Sequence, residues 1–154
     1  GILTMSASTK KASLSEGNTP GNLAPRIESM DNGREVRFQN HSGKYTLLNF
    51  WAAYDAESRA RNIQLWNEVN KLNSSEIEMF SISYDKSPSV FSETVKADGL
   101  NQENQFRDEQ GAESELYKKY DLRKGFKNFL INDEGVIIAA NVTPEKLTEI
   151  LKAI

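Results

Sequence analysis

The sequence predicts an α/β domain, with a mixed central β-sheet flanked by helices on both faces. Three observations predict it. Two nearly continuous apolar, β-prone runs, at residues 45–51 and 77–84, suit central strands covered on both faces. A stretch with helical apolar spacing separates them, and a strand–helix–strand crossover implies parallel pairing. Late in the chain, Phe129-Leu130-Ile131 and Val136-Ile137-Ile138-Ala139-Ala140 flank Asp133-Glu134-Gly135, a hairpin turn that adds an antiparallel edge.

The elements follow in order. Residues 1–22 are rich in Ser, Thr, Lys, Gly and Asn, with Pro20-Gly21 near their end. That composition reads as a flexible tail or linker, leaving 23–154 as the domain. Ile27 and Met30 precede Asp31-Asn32-Gly33, a strong turn signal, and Val36 and Phe38 then alternate with polar neighbours. The pattern predicts a small N-terminal β-hairpin extension, closed by a second turn at Asn40-His41-Ser42-Gly43. Tyr45–Trp51 is the first central strand. The next helix starts at Asp55, a good N-cap, with Glu57 in the first turn where the helix dipole favours it. Ile63, Trp66, Val69 and Leu72 recur there at helical spacing. After the second central strand, Ser87-Pro88 opens a helix with Pro at its first position and Phe91 and Val95 on one face. Gln105-Phe106 reads as a short edge strand and Ala112–Tyr120 as helical. In the last helix Thr143 is the cap, Pro144 the first residue, and Leu147, Ile150, Leu151 and Ile154 the apolar stripe. There is no internal repeat.

Composition narrows the function. The 154 residues fit one domain, and a chain of this size buries roughly two thirds of its unfolded surface without a staple. Nineteen basic and 22 acidic residues give a net charge of −3, with the signs interspersed. Nucleic-acid binding, which needs a concentrated basic face, is therefore not expected. The chain has no cysteine, which removes disulfides, thiolate catalysis and cysteine metal sites together. One histidine, His41, argues against a histidine metal site or a histidine-assisted triad. Asp121, Asp133 and Glu134 lack metal-ligand spacing, so neither a metal nor a cofactor is implied. No apolar run approaches the roughly 20 residues of a membrane span, and no signal-peptide core is visible. Asn40-His41-Ser42, Asn73-Ser74-Ser75 and Asn141-Val142-Thr143 match the glycosylation sequon, which recurs by chance. Nothing in the sequence specifies an oligomeric state.

Several segments together resemble a known family. Gly43-Lys44-Tyr45-Thr46-Leu47-Leu48-Asn49-Phe50-Trp51-Ala52-Ala53 is similar to the approach to the active site in thioredoxin-like thiol–disulfide oxidoreductases. The branch is the extracytoplasmic one, grouped with the AhpC/TSA (peroxiredoxin-like) proteins. Ala24-Pro25, Ser83-Tyr84-Asp85, Tyr120-Asp121-Leu122 and Phe129-Leu130-Ile131-Asn132-Asp133-Glu134-Gly135 resemble further family segments in the same order. The resemblance covers about residues 24–154. It implies a thioredoxin-like three-layer sandwich. It also implies a periplasmic or lipoprotein-anchored location in a bacterial envelope, with a leader removed.

The departures bear on activity. The family motif reads Phe-Trp-Ala-Ser-Trp-Cys-x-x-Cys-Arg; here Tyr54 stands at the second Trp, Asp55 and Ser58 at the two cysteines, and Arg59 at the Arg. The family's chemistry uses a thiolate at a helix N-terminus to attack a disulfide. Asp55 cannot form a mixed disulfide, and Ser58 cannot resolve one. The family also sets a cis-proline opposite the cysteines. Without gaps that position is Phe126, in Lys124-Gly125-Phe126-Lys127, and no proline lies between Pro88 and Pro144. A cis bond before a non-proline residue costs about 2.5–4 kcal/mol, so a trans, reshaped loop is expected.

Two function classes follow. The leading one is a redox-inactive thioredoxin-like module that binds a protein or peptide or serves structurally. Trp51, Tyr54, Asp55, Gly125, Phe126 and Lys127 would then line a cleft for an extended segment, although the same aromatics also suit filling the space the cysteines left. The alternative is a non-thiol enzyme reusing the cleft with Asp55 as acid or base, against which stands its plain role as helix cap. A cysteine-free variant of an active oxidoreductase is a third reading. Ser58 lacks an assigned base and reads as an ordinary first-turn serine. Asn49, in the first strand, reads as a buried amide bonded to neighbouring backbone.

Overall fold

The computed structural model describes residues 14–27, 36 and 38–153. Its central sheet has five strands, β1 (Tyr45–Trp51), β2 (Ile77–Ser83), β3 (Gln105–Arg107), β4 (Asn128–Ile131) and β5 (Ile137–Ala140), in the spatial order β3-β2-β1-β4-β5. β1 runs parallel to β2 and β2 to β3, whereas β4 is antiparallel to both β1 and β5. This is the mixed α/β sheet the crossover and the late hairpin predict. The helices are α1 (Ala56–Val69), α2 (Pro88–Ala97), α3 (Glu115–Lys119) and α4 (Pro144–Lys152).

Alternation along β1 divides the core. Leu47 packs on one face with Leu65 and Val69 of α1, Leu130 of β4 and Leu147 of α4. Leu48 and Phe50 point to the other face, where they meet Ile82, Phe106, Leu116, Tyr120 and Phe129. Ser87 caps α2 by accepting from the Val90 amide, and Thr143 caps α4 by accepting from the Lys146 amide, as their sequence positions predict.

One element differs from expectation. The inward face of α1 carries Ser58, Asn62, Leu65 and Val69; Ile63 and Trp66 flank it, and Leu72 lies past the helix end. The upper half of that face is polar, so an apolar stripe alone points slightly around the helix. Ile27 and Val36, on the two arms of the expected N-terminal hairpin, form an antiparallel bridge; its Asp31-Asn32-Gly33 turn lies outside the described residues. Residues 1–13 of the expected tail are also outside them. Residues 14–22 lead into a segment on the flank of β5, where the Gly21 amide donates to the Ile137 carbonyl and the Ile137 amide to the Asn22 carbonyl. The Tyr120 hydroxyl donates to the Pro25 carbonyl at 2.7 Å, tying this segment to the core.

Tyr84 and Tyr120 are buried, at 4% and 0% exposure. Burial first, then the nearby Asp108 carboxylate for Tyr84 and Glu16 for Tyr120, pushes both phenols well above their ordinary value. In the unfolded chain they ionise near pH 10, while in the fold they stay neutral. Stability from this source is complete below about pH 10 and is lost as the pH rises past it. The melting temperature should therefore fall steeply above about pH 10, together with a rise in tyrosinate absorbance. A flat melting temperature across that range would contradict the assignment.

Candidate functional site

The site lies past the carboxyl ends of β1 and β2, where open α/β sheets place ligands. β1 ends at Trp51, the chain turns through Ala52–Asp55, and α1 begins. Asp85 shapes this turn. Its carboxylate, 4% exposed, accepts the Ala53 amide on both oxygens at 3.0 and 2.9 Å. The Ser83 hydroxyl donates to the same carboxylate at 2.6 Å. Charge-assisted bonds of this kind are the strong ones, so the loop is held from the neighbouring strand.

The two former thiol positions have separate fates. Asp55 takes the extended backbone of an N-cap, φ −105° and ψ 98°, but its side chain makes no cap hydrogen bond. The cap bond expected of it is not formed. Ser58 is buried and turns inward: the Ala52 amide donates to its Oγ at 3.1 Å, and its hydroxyl donates to the Asp55 carbonyl at 3.0 Å. Its hydroxyl thus satisfies the loop backbone. Arg59 is drawn away to α2, where its guanidinium grips the Asp98 carboxylate through Nε at 2.9 Å and Nη2 at 2.6 Å; that bond raises the Arg59 pKa further.

Across from α1 stands the loop 121–127. The chain is trans throughout the described residues. Gly125, at φ 134°, adopts backbone that side chains rarely tolerate and presents Phe126 beside Tyr54. The Phe50 amide donates to the Lys127 carbonyl at 3.0 Å, fixing the loop to β1. Asp55, Ser58, Gly125, Phe126 and Lys127 together line one cleft of about 310 Å³, along with Glu57, Arg61 and Lys124. Tyr54 is 74% exposed at the rim and meets Phe126 edge-on at 6.2 Å. Phe126 stacks on Tyr84 at 6.0 Å, and Tyr84 meets Tyr117 at 5.2 Å. The aromatics form a ladder from surface to interior. Trp51 stands apart: it is fully buried on the α1 face with Val95 and Leu100 and does not line the cleft.

Beneath the motif lies a polar chain that sequence reading missed. Asn62 is 0% exposed; its Oδ1 accepts from Asn49 Nδ2 at 3.0 Å and from the Ser81 hydroxyl at 2.6 Å. Asn49 is thus buried as expected but bonded to a side chain. The available signal was Asn62 lying one turn after Ser58, on the same helix face. No group of three or more His, Cys, Asp or Glu side chains among the described residues converges on a metal position.

The comparisons agree with this architecture. The AhpC/TSA family model matches residues 20–140. A thioredoxin-like protein from Parabacteroides distasonis ATCC 8503 is 69% identical, with a TM-score of 0.85 over 90% of this chain and 98% of that one. A thiol-disulfide oxidoreductase from Bacteroides fragilis NCTC 9343 is 28% identical, with a TM-score of 0.67 over 86% of this chain and 98% of that one. The thioredoxin domain of a thiol-disulfide oxidoreductase from Bacteroides vulgatus shares the fold at 20% identity, with a TM-score of 0.74 over 88% and 96% of the two chains. No curated protein matches.

Proposed function

This chain belongs to the AhpC/TSA family, and from that premise we propose that it is a redox-inactive thioredoxin-like module of the bacterial cell envelope that binds a protein or peptide segment in its cleft. The observation that carries the reading is the state of the motif. With no cysteine in the chain, there is no thiolate to attack a disulfide. The Ser58 hydroxyl is consumed by the loop backbone. What persists is shape: the turn held by Asp85, the cleft, and an exposed aromatic at its rim. The envelope location rests on the resemblance of the sequence segments to the extracytoplasmic branch of the family. No helix among the described residues is long and apolar enough to cross a membrane.

Insulin reduction at high protein concentration tests the redox half of the reading. The expected rate equals that of dithiothreitol alone; a rate that climbs with protein concentration overturns it. Capture from an envelope fraction tests the binding half. Tyr54→Ala and Phe126→Ala should lose partners that the unmodified protein retains, and equal capture by all three would place binding elsewhere.

A further inference from the structure

The cleft is charged in a way that specifies its occupant. Residues 118–127 hold five cations, Lys118, Lys119, Arg123, Lys124 and Lys127, against one carboxylate, in a chain of net charge −3; Lys119 pairs with Glu16 at 3.5 Å, and Lys124 and Lys127 line the cleft. Three of the five share the loop's carboxylate. Arg123 Nε lies 3.3 Å from Asp121, Lys124 Nζ 3.8 Å and Lys127 Nζ 4.0 Å. One anion cannot neutralise three cations, so the loop keeps a positive surplus, and Arg123 and Lys124 remain 77% and 67% exposed. Lys127 is held more firmly, since its ammonium also donates to the Asp121 carbonyl at 3.2 Å. Lys124 and Lys127 line the cleft with Phe126, which meets Tyr54, and Arg123 is next to Lys124 in the loop; an aromatic with adjacent basic groups is the composition of a binding hot spot.

The other wall decides between classes of anionic partner. Asp55 and Glu57 both line the cleft; Glu57 pairs with Arg61 at 3.7 Å, whereas Asp55 has no ion pair among the described residues. A uniform polyanion such as nucleic acid meets that carboxylate at close range. A peptide alternates its side chains and can turn carboxylates to the loop while presenting a neutral side chain to α1. Resting on the reading of the chain as a binding module, we infer that the partner is an extended acidic peptide segment, with its carboxylates toward Arg123 and Lys124 and an apolar side chain on the Tyr54–Phe126 shelf.

The probe is a short fluorescein-labelled peptide alternating Glu with Leu and Phe, titrated into the full chain and followed by anisotropy. Its Lys-for-Glu counterpart and a single-stranded oligothymidylate serve as comparisons. The Glu peptide should bind, and binding should weaken as salt rises. The double variant Arg123→Glu/Lys124→Glu should weaken it roughly tenfold; both side chains are exposed, and an unchanged circular dichroism spectrum confirms the fold. Equal binding of the Lys peptide, preference for oligothymidylate, indifference to the double reversal, or no binding of the Glu peptide each overturns the inference. If envelope capture is lost in Tyr54→Ala yet survives the double reversal, the binding module stands and only the acidic specificity falls.

Discussion

Trp51→Ala should destabilise the domain by about 4 kcal/mol, the scale of truncating a fully buried aromatic, and lower its melting temperature by on the order of 10 °C. The indole is 0% exposed. It is enclosed by Val95 and Leu100, with Ile63, Trp66 and Phe91 packed around it, and its ring lies 6.5 Å from that of Phe91. Truncation opens a cavity that α2 cannot close without moving from its capped start at Ser87. Trp51→Phe is the informative partner. It keeps most of the apolar volume and removes the indole N–H, a buried donor with no hydrogen-bond partner; relief of that orphan offsets part of the lost contact. The loss should then be about 1 kcal/mol, and capture of a partner should be unchanged. Urea unfolding of both variants checks the pair. A Trp51→Phe protein that folds normally but no longer binds would return Trp51 to the cleft.

That contrast shows how far the residues themselves disclose the site. Trp51 and Tyr54 are two aromatics three positions apart, and sequence alone treats both alike, as lining a cleft or as filling the space the cysteines left. The strand's alternation separates them: Trp51 shares the inward face of Leu47 and Asn49, while Tyr54 lies beyond the strand end where alternation has ceased. The sheet was legible because its signals are local. β1 is an uninterrupted apolar run, and Asp133-Glu134-Gly135 is a turn whichever partner its strands choose. The site's supports are not local. Nothing local marks Asn62 until the phase of α1 sets it over Asn49 and Ser81, residues paired across β1 and β2. A buried polar face lowers the apolar periodicity that sequence reading depends on, so the stripe is read one residue around. Ser58 was legible as a first-turn serine and illegible as the group that ties Ala52 to Asp55, because the partners are backbone atoms of a turn whose geometry Asp85 imposes.

Asp85→Ala should cost about 3 kcal/mol and should act on the cleft before it acts on the core. The substitution removes both acceptors of the Ala53 amide and the acceptor of the Ser83 hydroxyl. Loss of a charged acceptor is worth about 1.5–3 kcal/mol and leaves its donors unsatisfied. The core strands keep their ladders, so the sheet should persist while the turn 52–55 loosens. Tyr54 follows Ala53 directly, and its place against Phe126 depends on that turn. Hydrogen exchange at Ala53 and Tyr54 should therefore accelerate far more than at Leu47 or Leu48, which lie deep in the sheet. Binding of the acidic peptide should weaken although Asp85 is not among the residues lining the cleft and the cationic loop is intact. Asp85→Asn separates shape from charge. One oxygen still accepts the Ala53 amide, so exchange at Ala53 should return most of the way to the unmodified rate, with stability between the two. If Asp85→Ala leaves Ala53 as protected as before, the loop is held by its own turn and by Ser58, and the carboxylate is a bystander. If protection is lost while peptide binding holds, the aromatic rim does not need its fixed position, and affinity resides in the Arg123–Lys124 charges alone.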